Sequence, residues 1–180
     1  MMIRPQRFNT YLLVTLTAAV VAVCGCESIG EKKPRKLLST LRLHIQASFD
    51  GTKANESVPV YREKPVWVNV DKMPFLTEGN VASASVIDGV GGFVLRIQFD
   101  HDGIVLLEKC TVANRGRKIA IFSQFGKEIK DYRWLAAPMI NRRISDGVLV
   151  FTPDATREEA EEIAAGLNNV AKKVHTWVDR

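Results

Sequence analysis

The chain has 180 residues, 46% hydrophobic and 25% charged, with a formal net charge of +5. That length suits one globular domain with a core large enough to fold without disulfides or metal, and the composition excludes a disordered chain. The weak basic excess comes without a basic-aromatic motif, which speaks against a nucleic-acid partner. The three cysteines, Cys24, Cys26 and Cys110, leave nothing for a disulfide framework once the first two are assigned to a leader.

That leader opens the chain. Arg4 and Arg7 precede the apolar run Tyr11 to Val23, the positive start and apolar middle of an export signal. A spanning helix needs about 20 apolar residues, and this run is shorter. Val23-Cys24-Gly25-Cys26 resembles a lipobox, so residues 1–25 are expected to be a lipoprotein signal peptide and Cys26 the residue that receives diacylglycerol. The alternatives are an uncleaved signal anchor and an ordinary secretory leader. Lipidation would make the bilayer the first partner and place the domain in the cell envelope, facing the periplasm from the inner or the outer membrane. Residues 26–39 read as a polar tether. Its Lys32, Lys33, Arg35 and Lys36 could lie against anionic headgroups or simply be solvated.

The fold is expected to begin at residue 40, with residues 40–80 supplying N-terminal strands. Leu41 to Phe49 alternates apolar and polar, the period of a half-buried strand, which puts His44 in solvent with Arg42. Asp50-Gly51 ends it. Val58 to Tyr61 and Val66 to Val70 read as short strands, with Pro65 at a strand start or edge. Val81 to Ile87 and Phe93 to Phe99 follow, joined by a glycine-dense hairpin turn at Asp88 to Gly92. A phosphate loop is rejected there, because a strand and not a helix follows the glycines.

A helix is predicted from Asp102-Gly103 to about Asn114, with Ile104, Leu107 and Cys110 inward and Gly116 ending it. Asp100 and Asp102 read as caps. His44 and His175 stand in segments of another type, so Asp100-His101-Asp102 is not expected to hold a metal. Lys118 to Phe125 is a strand, Gly126 to Arg133 a polar link, and Trp134 to Ile140 and Gly147 to Phe151 are two extended segments. Thr156-Arg157-Glu158-Glu159 is a capping box. Behind it Ala160, Ile163, Ala164, Leu167, Val170, Ala171, Val174 and Trp177 recur at helical spacing. The reading is α+β: a mixed or antiparallel sheet packed against two amphipathic helices.

Several words in this order resemble the head subdomain of the first periplasmic domain of SecD and SecDF, the accessory subunit of Sec protein export. They are Gly92 to Asp100 with Gly103 and the helix end Thr111 to Asn114; Gly116 to Ile121; Ala137 to Ile140; Ile144 with Gly147; and Phe151-Thr152 through Ala165 and Leu167. The resemblance spans roughly Val81 to Ala171 within residues 81–180. It implies an α+β head of a few strands backed by two helices, a role in handling unfolded exported polypeptide, and no enzyme chemistry or cofactor. The family's several membrane helices have no counterpart here beyond the leader, so no proton-driven translocase is expected from this chain alone.

The residues themselves supply no nucleophile with its base and no metal-ligand spacing, although Glu63, Glu78, Asp131 and Asp146 could converge. A binding module is therefore expected, with edge strands open to an extended peptide. Phe125, Tyr132, Trp134, Leu135 and Met139 are the candidate polypeptide-binding residues; Trp134 and Met139 could instead fill the core. The alternative is a structural lipoprotein that docks on a Sec or other envelope membrane protein through Leu41 to Leu76. Oligomeric state stays open.

Overall fold

The structure, a computed structural model, describes residues 37–48 and 53–178, without the side chains of residues 127 and 175–178. The signal peptide, Cys26 and most of the tether lie outside the described residues. Among the described residues nine strands and two α-helices follow in the order β1 (Arg42–Ile45), β2 (Asn55–Val60), β3 (Val66–Asp71), β4 (Leu76–Thr77), β5 (Val81–Gly89), β6 (Gly92–Phe99), α1 (His101–Ala113), β7 (Ile119–Phe125), β8 (Asp131–Ala136), β9 (Val148–Phe151) and α2 (Arg157–Val178). The strands form a four-stranded sheet β4-β1-β7-β8, a two-stranded ribbon β2-β3 and a three-stranded sheet β5-β6-β9, every ladder antiparallel. The class is α+β, as the sequence implies. Among the described residues the expected single sheet is in fact three; from residues 40–80, β1 and β4 join the later strands β7 and β8 in one sheet, while β2 and β3 form their own ribbon.

The main core gathers Leu43, Ile121, Phe125 and Leu135 from the four-stranded sheet, Leu95, Ile97, Phe99, Leu149 and Phe151 from the three-stranded one, and Leu107, Ile163 and Leu167 from the helices. Each such side chain, fully buried, contributes about 1.5–3 kcal/mol. A second cluster, Val58, Val60, Val68 and Val70 with Ala120, packs the β2-β3 ribbon onto the other face of the four-stranded sheet. His44 lies on that second face and is buried, not solvated as alternation suggested; its Nδ1–H donates to the Asp71 carbonyl at 2.7 Å. Alternation identifies two faces, and here both are covered.

Both helices start where their caps predict. The Asp100 carboxylate accepts from the Gly103 amide at 2.8 Å. A Cβ on Gly103 would stand 2.8 Å from the Phe99 Cβ, so only glycine lets α1 turn this closely off β6. α1 buries Gly103, Leu107 and Thr111, one residue per turn, which leaves Cys110 half-buried rather than in the core. Burial pushes the Cys110 thiol up to about 11, against an opposing hydrogen bond from Asn114. At the start of α2 the Thr156 amide donates to Glu159 Oε2 at 2.8 Å and the Glu159 amide to Thr156 Oγ1 at 3.2 Å. The helix lies along the outer edge of β5, where Asn168 stands in for a neighbouring strand. Its Nδ2 donates to the Ala84 carbonyl and its Oδ1 accepts from the Ala84 amide, both at 2.8 Å. No described helix is long and apolar enough to cross a membrane.

Candidate functional site

The second face of the four-stranded sheet carries four ring side chains in a row, and a bulge decides which residues join it. Between Ile121 and Phe122 the β7-β8 ladder steps from Ile121↔Ala136 to Phe122↔Trp134, leaving Leu135 as the extra residue. Ala136 and Leu135 therefore join the main core, while Trp134 emerges beside Phe122 on the opposite face. Rings meet in sequence along that face: His44 and Trp134 edge-on at 5.2 Å, Trp134 and Phe122 at 5.2 Å, Phe122 and Tyr132 at 6.5 Å. These separations suit favourable tilted and edge-to-face aromatic contacts.

The β2-β3 ribbon covers the His44 end and stops short of Tyr132. What remains open is a groove of about 370 Å³ lined by Phe122, Tyr132, Trp134, Pro59, Tyr61 and Pro65, with Arg62, Arg133 and Asp154 at its rim. The charged rim is internally paired. Arg133 grips Glu159 with both guanidinium nitrogens at 2.8 and 2.9 Å and rests over the Phe125 ring at 5.0 Å. Arg62 donates its amide to Asp154 Oδ2 at 2.9 Å. The turn after β2, strand β8 and the first turn of α2 are thus lashed together around the groove. Burial works to raise the Glu159 carboxyl, but Arg133, the Thr156 amide and Arg62 outweigh it and hold the group below its ordinary value. His44 is held below its ordinary value mainly by burial, its Asp71 hydrogen bond acting the other way.

The candidate residues named from the sequence separate cleanly. Tyr132 is 71% exposed and Met139 54%, Trp134 is half-buried, and Phe125 and Leu135 are core side chains with no surface to offer. Trp134 shares the fate of the alternative reading in part, since one flank packs on the second core cluster. Met139 lies away from the aromatic groove, opposite Lys118 beyond the end of β8. Sequence reasoning missed Phe122, Tyr61, Pro59 and Pro65. The signal for Phe122 was its place in the same alternation as Ala120, and the signal for the prolines was their position on either side of the ribbon's turn.

The acids that could have converged do not. Glu78 accepts from the Leu41 amide, Asp146 accepts from the Val148 amide, and Glu63 and Asp131 are exposed in other turns or strand ends. Among the described residues no group of three or more histidine, cysteine or acidic side chains could hold a metal ion.

This fold, an antiparallel α+β arrangement with a capped C-terminal helix, is that of a SecDF P1 head subdomain. The family model for the SecDF P1 head subdomain matches residues 44–171, and the chain belongs to that family. The match begins upstream of Val81, where the sequence resemblance started, and takes in the β2-β3 ribbon. Among solved structures, the chain is similar to a membrane component, SecDF, that enhances protein export, with 18% identity, a TM-score of 0.52 and coverage of 93% of this chain and 71% of that one. It is also similar to SecDF in its super-membrane-facing form, with 21% identity, a TM-score of 0.52 and coverage of 74% of this chain and 19% of that one. No curated protein matches.

Proposed function

We propose that this chain is a non-enzymatic envelope lipoprotein, anchored through Cys26, whose SecDF head-like domain engages exported polypeptide on the aromatic groove and so assists protein export or envelope assembly. Membership in the head-subdomain family supports the export setting, and one of the similar solved structures is a component that enhances export. The observation that carries the reading is Tyr132, exposed on an edge strand and backed by Phe122 and Trp134, with prolines and Tyr61 opposite. Rigid aromatic rings offer large contact area at low entropic cost and accept many sequences, as a factor meeting varied chains requires.

In-cell photocrosslinking from position 132 tests it. The reading expects many nascent exported chains in low yield; a single stoichiometric protein would favour docking instead. Docking has its own support in Trp67 and Met73, both strongly exposed on or beside the ribbon and neither part of the groove. For the anchor, Cys26→Ser is expected to abolish incorporation of labelled palmitate, and persistent labelling would contradict lipidation at that cysteine.

A further inference from the structure

Among the described residues β9 is an edge strand, paired with β6 alone. Its register fixes which peptide groups face outward. The Phe99 amide donates to the Gly147 carbonyl at 3.0 Å. Antiparallel alternation then turns residues 149 and 151 toward β6 and Val148 and Val150 away from it. The Val148 amide is occupied by Asp146 Oδ1 at 3.1 Å. Val150, its side chain 49% exposed, looks into a cleft of about 480 Å³.

The far wall of that cleft is Pro138 to Ile140, the continuation of β8. Here the Ile119 amide donates to the Pro138 carbonyl at 2.9 Å and the Ile140 amide to the Arg117 carbonyl at 2.8 Å, around the bridge of Lys118 with Met139. By the same alternation, Met139 turns its own amide and carbonyl toward the cleft. The two walls are stitched together at one end, where the Asp154 amide donates to the Leu135 carbonyl at 2.7 Å. If that antiparallel register ran on, Met139 would pair with Val150. Instead the cleft parts them, and among the described residues no backbone hydrogen bond crosses it.

We infer that this interrupted ladder is a receiving slot for one extended polypeptide strand, which pairs its backbone with Val150 on one side and Met139 on the other. The inference rests on the polypeptide-binding reading above and deepens it by naming a second contact and its mode, strand addition. Met139 and Val150 give apolar contacts at the strand's flanks. Arg142 stands exposed on the lining while the neighbouring Arg143 is engaged by Glu108. Asp146 lines the same cleft and balances Arg142, so the occupant is set by backbone pairing and by the apolar flanks: an extended segment with apolar residues at alternate positions.

The test uses the full chain in detergent micelles and a fluorescein-labelled ten-residue peptide of alternating valine and glutamate, against the same peptide N-methylated at every second amide. Val150→Pro removes the amide that faces the cleft and spares the β6 ladder, a placement proline tolerates on edges. The expected result is at least a tenfold loss of affinity for this variant, a similar loss for the N-methylated peptide on the native chain, and no change for Val112→Ala on the outer side of α1. The peptide arm needs no variant, so it decides the matter even if Val150→Pro misfolds. Unchanged affinity in both arms, with weakening by Tyr132→Ala, would overturn the slot while leaving the polypeptide reading in place. Failure of any polypeptide to bind the native chain would overturn both. Concentration-dependent self-association abolished by Val150→Pro would assign the slot to a second copy and overturn the inference as stated.

Discussion

His44 shows how far one side chain's environment departs from its sequence pattern. Alternation put it in solvent, but the β2-β3 ribbon covers that face, so the imidazole is buried against Trp134 and donates to the Asp71 carbonyl. Its folded pKa lies below the unfolded value of about 6.5. The unfolded chain therefore binds more protons in the window between the two values. The stabilising contribution is complete above about pH 6.5 and is lost as pH falls through that window. Urea unfolding at pH 7.5 and pH 5 is expected to show a loss of stability that His44→Gln reduces; an unchanged pH dependence in the variant would contradict the account. Leu135 and Tyr132 make the companion pair. Leu135→Ala is expected to cost about 2–5 kcal/mol by chemical unfolding, the range for a buried leucine. Tyr132→Ala is expected to stay within about 0.5 kcal/mol, as surface changes do. These two residues looked equivalent in the sequence because a bulge, invisible to a simple period, reverses which of Trp134 and Leu135 faces inward.

At the scale of elements, capping and hairpin chemistry was local and legible. Thr156 with Glu159, Asp100 with Gly103, and the turn between Gly89 and Gly92 all sit where residue types demanded. Strand ends were less readable. β8 begins at Asp131, inside the stretch read as a polar link, because pairing with β7 satisfies its backbone whatever its side chains are. It stops at Ala136, two residues before Pro138, which has no amide to give. The β4 strand of two residues offers no period at all. The contact between Asn168 and the edge of β5 was likewise illegible, since it joins positions 84 residues apart. Asn168→Ala strands a buried amide and carbonyl, so a loss of about 1–3 kcal/mol is expected. Hydrogen exchange should quicken first at Ala84; unchanged protection there would show that the helix does not seal this edge.

For the whole molecule, composition and periodicity conveyed class and the number of major helices, and a chain of short words conveyed the family. What they could not convey was the partition into two cores on opposite faces of one sheet, because that depends on where a separate ribbon lands. The aromatic groove exists only because the ribbon ends before it reaches Tyr132, and its rim holds shape through the Arg133–Glu159 and Arg62–Asp154 pairs. Glu159→Gln is expected to loosen this frame, with the change read as faster exchange in the Tyr61 to Pro65 turn. The most direct measurement is the affinity of the full chain for a reduced, unfolded secretory polypeptide, read by fluorescence anisotropy with native Tyr132 and with Tyr132→Ala. A loss of about fivefold or more, roughly 1 kcal/mol, is predicted. Equal affinity of the two proteins would contradict the claim that this groove is where the domain meets exported chains.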